Sequence, residues 1–167
     1  MARPRAAFLL KFAVLIAVLY VAIALRPVDA NVVTPFTRGV TAAAGAILNT
    51  VGEPVVRQGT ILRSPRFAVD VKNGCNGLEA TLLLVAAILA YPAGWKEKAL
   101  GIAAGAVLIQ AINLVRVTSL YVIGRDYPNL FATFHVTVWQ VVIFVLTIGM
   151  FVFWSGRVGR DPRAAAA

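Results

Sequence analysis

Four long apolar segments dominate this sequence of 167 residues, and they constrain its fold more than any other feature. They cover residues 8–25, 78–94, 99–123 and 136–154. A helix needs about 20 mostly apolar residues to cross the roughly 30 Å hydrocarbon core of a bilayer. The charged fraction is only 14%, whereas soluble domains carry about 25%. We therefore predict an all-α polytopic membrane protein with about four transmembrane helices.

The stretch between the first two spans, residues 26–74, is predicted to form a small cap. Apolar residues recur at helical spacing over residues 35–51, which predicts an amphipathic helix on the membrane surface. These residues are Phe36, Val40, Ala43, Ile47 and Val51. Residues 54–72 alternate short β-rich runs with Gly and Pro turns, which predicts a hairpin or a three-stranded meander. We expect this extracytoplasmic helix and meander to lie over the membrane helices.

The charge distribution gives a weak indication of topology. We expect one membrane domain over residues 1–167, ending in a basic tail, residues 155–167. Four spans place both termini on one side of the membrane, and residues 26–74 and a short loop, residues 124–135, on the other side. Of the 16 Lys and Arg residues, eight lie on the side of the termini, seven lie on the other side and Arg116 lies inside a span. The eight are in short segments close to the spans, where the positive-inside bias acts most strongly, so we expect both termini in the cytoplasm.

The first apolar segment also has features of a signal peptide. Residues 1–30 have a basic start, an apolar stretch and an end at residues 28–30 that resembles a cleavage site. Arg26 and Pro27 interrupt the approach to that site, which favours a retained membrane anchor over a cleaved peptide.

The sequence contains one cysteine and one histidine, and these counts exclude several mechanisms. A single Cys cannot form an internal disulfide or a Cys-x-x-Cys redox pair. A single His excludes zinc sites that use two or three His ligands, so we expect no metal and no cofactor. The formal net charge of +9 fits loops that face anionic lipid headgroups. We therefore expect the lipid bilayer, and no nucleic acid, as a partner.

Few polar residues lie inside the predicted spans, and each needs an explanation. They are Glu79, Gln110, Asn113, Arg116 and Gln140. An ionisable residue within a span costs a few kcal/mol, so it is expected to have a partner or a function. Arg116 shares a helix face with Asn113, three residues earlier, and Glu79 is a candidate salt-bridge partner.

Three chemically distinctive residues are predicted to meet in one leaflet. Cys75 begins the second span, His135 begins the fourth, and Arg116 lies in the half of the third span nearest the same side. A nearby cation lowers the pKa of a cysteine from about 8.5 and favours the nucleophilic thiolate. A histidine exchanges protons near neutral pH, and an arginine suits the oxyanion of an acyl intermediate. The set fits acyl transfer through a thioester.

Each of these residues also has a structural interpretation. A lone Cys is often a small buried hydrophobe, and a lone His is often an interface residue. In a non-enzymatic envelope assembly or chaperone protein, Arg116 and Glu79 would only pair helices. A lipid-phosphate enzyme is disfavoured because the sequence lacks a second His, and an intramembrane serine protease would depend on Ser119 alone.

Three motifs in order resemble the exosortase/archaeosortase family. They are Asn-Gly-Cys-Asn-Gly-Leu-Glu at residues 73–79, Asn-Leu-Val-Arg-Val at residues 113–117 and Phe-His at residues 134–135. The segment Cys-Asn-Gly-Leu-Glu-Ala, residues 75–80, is most similar to the corresponding segment of exosortase H. Many family members have Cys-Ser-Gly, so Asn76 departs from that pattern and affects the choice of subfamily more than the mechanism.

The resemblance implies a membrane cysteine transpeptidase or protease of the bacterial inner membrane, with its active site facing outward. Its partners would be exported proteins that end in a short motif, a hydrophobic span and a basic cluster. By motif, Cys75 would be the nucleophile, Arg116 the substrate or oxyanion clamp and His135 the acid/base. Glu79 and Asn113 would orient Arg116. Water or an amine on a lipid or cell-surface acceptor would release the product.

Overall fold

The computed structural model describes residues 2–158, which are mostly helical with one small sheet. In chain order the elements are α1 Ala2–Ala24, α2 Arg26–Val28, a π-helical turn Asp29–Val33, α3 Thr34–Thr50, β1 Val56–Gln58, β2 Ile61–Arg63, β3 Ala68–Asp70, α4 Leu78–Ala90, α5 Trp95–Asp126, α6 Pro128–Thr133, a second π-helical turn Phe134–Val138, and α7 Trp139–Val158. The predicted basic tail lies largely outside the described residues.

Three of the described helices are long and apolar enough to cross a membrane: Arg5–Ala24, Trp95–Asp126 and the continuous helix Pro128–Val158. The prediction of four spans is not confirmed. The second predicted span is only the 13-residue helix α4, which is about 20 Å long at 1.5 Å per residue. It ends where Tyr91 adopts an extended conformation, as expected for a residue that precedes a proline.

The predicted loop at residues 124–135 is wrong. Helix α5 continues to Asp126, and after Tyr127 the chain re-enters a helix at Pro128. Pro128 occupies the first turn of α6. A proline is favourable there because N–H groups in the first turn have no partner within the helix, so the missing N–H costs no hydrogen bond. His135 therefore lies two turns inside a helix, in its π-helical turn, and not at the start of the helix.

Helix α4 lies at the centre of the membrane helices, in contact with α1, α5 and α7. One buried cluster joins Leu84 and Ile88 of α4 to Ile109 of α5, with Phe151 and Trp154 of α7 packed against it. An apolar helix with neighbours on several sides is expected to be hydrophobic all round. The cluster holds the second half of α4 in a fixed position relative to α5 and α7.

The predicted helix and three-stranded meander are both present. The strands pair antiparallel in the order β1-β2-β3. The sheet packs on α3 and on the last third of α5, and a second buried cluster fills the space between them. Its largest buried side chains are those of Leu48, Leu62 and Tyr121. This cap lies directly beside the loop that carries Cys75.

The predicted apolar face of α3 is only partly buried against the protein. Val40 is buried, whereas Ile47 and Val51 are exposed. The buried residues are centred on a neighbouring face of the helix, and most of them are small or polar. These are Thr37, Val40, Thr41, Ala44, Gly45 and Leu48. Small side chains allow close approach, and a Cβ on Gly45 would lie 3.0 Å from Leu62 Cδ2. Helix α3 therefore packs against its own protein through a face that a search for large apolar residues does not find.

Candidate active site

Two glycines shape the turn that presents Cys75. Gly74 and Gly77 have φ values of +84° and +76°, a region that other L residues adopt only at a cost of roughly 1–2 kcal/mol. A Cβ on Gly77 would also lie 3.0 Å from Cβ of Asn113. The two glycines thus let the turn reverse direction and lie flat against α5.

Asn76 ties this turn to its surroundings. Its side chain is buried; Nδ2 donates to Oγ1 of Thr37 at 2.8 Å, and Oδ1 accepts from the backbone N–H of Leu78 at 3.0 Å. The second bond satisfies one of the free N–H groups at the start of α4. The residue that departs from the Cys-Ser-Gly pattern therefore joins α3 to the start of α4.

Cys75 and His135 are in direct contact. The distance from Cys75 Sγ to His135 Nε2 is 2.7 Å, and both side chains are half-buried. With its other nitrogen protonated, the imidazole accepts the thiol proton at Nε2. The ring of His135 stacks on Phe131, one helical turn earlier, with ring centroids 5.6 Å apart and planes inclined by 21°. In the described part of the chain, Nδ1 of His135 has no hydrogen-bond partner, so the ring is held by its contact with Cys75 and by this stacking.

Arg116 completes the cluster from the opposite side. Its side chain is 3% exposed. Nη1 donates to the carbonyl oxygen of Gly74 at 3.1 Å, and Nη2 lies 3.8 Å from Cys75 Sγ. The structure therefore brings Cys75, His135 and Arg116 together from the turn before α4, the π-helical turn after α6 and the middle of α5.

The expected lowering of the Cys75 pKa is wrong. Burial raises the pKa of the Cys75 thiol, Arg116 opposes that effect, and Glu79 adds to it. Loss of hydration disfavours the thiolate more than the positive charge of Arg116 favours it. A raised pKa favours the protonated thiol, so a base that takes its proton would assist formation of the nucleophile.

In the described residues, neither supporting residue forms an ion pair or a hydrogen bond with Arg116. Among residues 2–158, Glu79 forms no ion pair with Arg116, and the buried side-chain amide of Asn113 has no hydrogen-bond partner. Glu79 and Arg116 instead line one enclosed cavity of about 60 Å³, with Tyr20 and Gln140. A polar cavity of this size has room for about two water molecules. The two residues therefore share a cavity without forming an ion pair.

A wide groove leads to the other face of the cluster. Its volume is about 400 Å³, and both Cys75 and His135 line it. One wall is the consecutive stretch 67–72, which includes β3. The other wall is formed by α5 and α6, through Val117, Leu120, Gly124, Pro128 and Phe131. The thiol and the imidazole are thus reachable from outside, while Arg116 approaches them from the enclosed side.

Ser119, the alternative nucleophile, has a different environment. Its hydroxyl donates to the carbonyl oxygen of Arg116 in its own helix at 3.0 Å. This bond is typical of Ser in a helix interior. In the described residues the hydroxyl makes no hydrogen bond to a basic side chain, so the serine protease interpretation has no geometric support.

Sequence reasoning missed Phe131 and the groove. Phe131 lies four residues before His135, the spacing of neighbours on one helix face. That spacing indicates contact between Phe131 and His135 only if residues 124–135 form a helix, whereas the sequence analysis predicts a loop there. The groove depends on how the cap packs against α5 and α6, and no local pattern encodes that.

Comparison with known families adds one finding. A family model described as transmembrane exosortase matches residues 1–153. The matched range includes Cys75, Arg116 and His135. No curated protein and no solved structure matches the chain.

Proposed function

The chain belongs to the transmembrane exosortase family, and on that premise we propose that it is a cysteine transpeptidase or protease that cleaves C-terminal sorting tails of exported proteins. The family generally comprises transmembrane sorting proteases and transpeptidases. The observation that carries the proposal is the 2.7 Å contact between the only cysteine and the only histidine of the chain. Membership of the exosortase H group stays a prediction.

In the first step, His135 activates Cys75. Nε2 of the imidazole takes the thiol proton as Sγ attacks the scissile carbonyl carbon, so a C–S bond forms and the carbonyl oxygen becomes an oxyanion. Because the pKa of the Cys75 thiol is raised, this base assists formation of the nucleophile. Proton transfer by a positioned base contributes about 10²–10⁴-fold to a rate.

Arg116 supplies positive charge where negative charge develops. Its guanidinium lies 3.8 Å from Sγ, and its bond to the Gly74 carbonyl fixes its position beside the nucleophile. Because Arg116 is buried, its charge is weakly screened by water. We assign it the role of stabilising first the thiolate and then the oxyanion. Glu79 acts less directly, by lining the cavity beside it, and Asn113 acts by packing against the turn at Gly77.

The intermediate then collapses and is resolved. The C–N bond breaks, and the imidazolium of His135 gives its proton to the departing amine of the tail fragment. The mature protein remains as a thioester on Cys75. An amine on a lipid or cell-surface acceptor, or water, attacks the thioester and restores the thiol.

We assign this chemistry to the outer face of the bacterial inner membrane. In this proposal the chain is one multi-pass membrane domain over residues 1–167, and residues 26–74 form its extracytoplasmic insert. The cap and the groove then face the side on which exported proteins arrive. The hydrophobic span of the substrate would lie in the bilayer beside the helices, with its scissile motif at the groove.

A non-enzymatic assembly protein is the second candidate, and its supporting observation is the burial of Arg116 against Gly74. In that case Arg116 would only hold the turn to α5. The two candidates differ in what Cys75→Ala does: an assembly protein keeps its function, whereas a peptidase loses its activity.

The test is co-expression of the protein with an exported reporter that carries a sorting tail from a protein encoded in the same genome. Cleavage is followed by the size of the reporter. We expect Cys75→Ala to abolish cleavage while the protein still accumulates in the membrane. Ser119→Ala is the matched control, and it should cleave at the wild-type rate. Unchanged cleavage with Cys75→Ala would overturn the proposal.

A further inference from the structure

Strand β3 forms one edge of the small sheet. It pairs with β2 on one side, and no other described strand lies beyond it. On the paired side, the carbonyl oxygen of Phe67 accepts from the N–H of Ser64 at 2.8 Å, and the N–H of Val71 donates to the carbonyl oxygen of Thr60 at 2.9 Å. Backbone groups of odd-numbered residues in this strand thus point toward β2.

Alternate residues of a strand turn their N–H and C=O groups to opposite edges. Ala68 and Asp70 therefore direct their backbone groups away from β2. These groups have no backbone partner among the described residues. Two N–H and two C=O groups are thus free along this edge, and an unpaired edge of this kind is a template for another strand.

The free edge faces the groove that ends at the reactive cluster. All six residues from 67 to 72 line this groove, together with Cys75 and His135. A groove over one face of a strand would be lined by alternate residues, because successive side chains point to opposite faces. Lining by six consecutive residues means that the groove runs along the edge itself. Six residues of strand extend about 20 Å.

We propose that the scissile segment of the sorting tail binds in this groove as an added fourth strand, paired with Ala68 and Asp70 of β3. This inference rests on the proposed function and names the way in which that site holds its substrate. The free N–H and C=O groups of this edge need hydrogen-bond partners. An extended peptide supplies them as alternating donors and acceptors, whereas a helix has no free backbone groups along its length. Main-chain pairing fixes the peptide beside Sγ of Cys75, and the apolar wall of α5 and α6 selects its side chains.

Disulfide scanning tests the pairing directly, since Cys75 is the only cysteine. A protein carrying Cys75→Ala and Ala68→Cys has one thiol, at an exposed position on β3. It is co-expressed with reporter tails that carry one cysteine at each successive position. An added strand predicts crosslinks at every second tail position, because alternate side chains share a face. Val56→Cys, exposed on the far strand β1, is the matched control and should give no such alternation.

A second measurement uses the protein with Cys75 intact. Ala68→Pro removes one outward N–H and leaves the ladder to β2 in place. We expect cleavage to slow about tenfold, because the loss of one hydrogen bond of roughly 1.4 kcal/mol corresponds to a factor of ten in rate. Ala68→Val keeps the N–H and should slow cleavage less than Ala68→Pro does. Thermal unfolding in detergent identifies any variant that has lost its fold.

The outcomes separate this inference from the proposed function. Crosslinks without a two-residue period, together with cleavage that depends on Cys75, would overturn the added strand and leave the peptidase in place. Cleavage that persists with Cys75→Ala would overturn the proposed function itself. Alternating crosslinks with the loss of rate in Ala68→Pro would support both.

Discussion

The thiol of Cys75 lies 2.7 Å from Nε2 of His135, although 60 residues separate the two in the chain. Two helices and a cap must pack correctly to create this contact. The turn that carries Cys75 is bound to α5 by Arg116 and to α3 by Asn76. His135 is fixed by the helix that begins at Pro128 and by its stacking on Phe131.

The first prediction concerns the ionisation of Cys75. Because burial raises the pKa of its thiol and Arg116 lowers it, the rate of alkylation should increase with pH through an apparent pKa above the ordinary value of about 8.5. Arg116→Gln removes the opposing charge and should raise the apparent pKa further. The measurement is modification of the single thiol by a membrane-impermeant reagent in right-side-out vesicles.

Arg116→Lys is the matched control for this series. It keeps the positive charge, so its apparent pKa should stay closer to the wild-type value than that of Arg116→Gln. An apparent pKa below about 8.5 would contradict the balance between burial and charge described here. Reaction only after solubilisation would contradict the outward location of the groove.

The second prediction concerns His135. His135→Ala should slow cleavage of the reporter tail by about 10²–10⁴-fold, because the thiol loses the base that takes its proton. The remaining rate should increase with pH as the thiol ionises on its own. His135→Gln fills more of the space without acting as a base, and it should behave in the same way. A variant with nearly full activity at neutral pH would remove His135 from the mechanism.

The third prediction identifies Phe131 as a positioning residue. Its ring holds the imidazole of His135 by stacking. Phe131→Ala should slow cleavage by roughly tenfold to a hundredfold, the effect of a small misplacement of a reacting group. Phe131→Tyr keeps the aromatic face and should restore the rate, whereas a slow Phe131→Tyr variant would contradict this role. Cys75 should still be alkylated in the wild-type protein and in both Phe131 variants.

Much of the candidate site could be predicted from the sequence, because it depends on rare residues. The single Cys, the single His and the one Arg inside a span stand out in any apolar chain, and topology alone places them on the same side. The meander was also predictable from its Gly and Pro turns.

Other features could not be predicted, for identifiable physical reasons. Most residues on the buried face of α3 are Thr, Ala or Gly, which carry little hydrophobic signal. Pro128 was interpreted as part of a loop although it begins a helix. The pKa of Cys75 depends on the degree of burial, which only the packed structure determines.

The fourth prediction compares two glycines. Gly77→Ala should lower the free energy of unfolding by about 2–5 kcal/mol, because strain from its positive φ adds to overpacking against α5. Gly52 has a similar φ of +85°, but nothing lies within 4 Å of the position that a Cβ would occupy. Gly52→Ala should therefore cost only about 1–2 kcal/mol. Denaturant titration in detergent measures both, and equal losses would show that the turn does not pack tightly on α5.

The most direct test of the central claim is to trap the intermediate on Cys75. The purified protein is mixed with the tailed reporter, quenched with acid and analysed by mass spectrometry. The account predicts a covalent adduct between Cys75 and the new C-terminus of the reporter, which neutral hydroxylamine releases as expected for a thioester. Tail cleavage without such an adduct, at a rate that Cys75→Ala does not change, would contradict it.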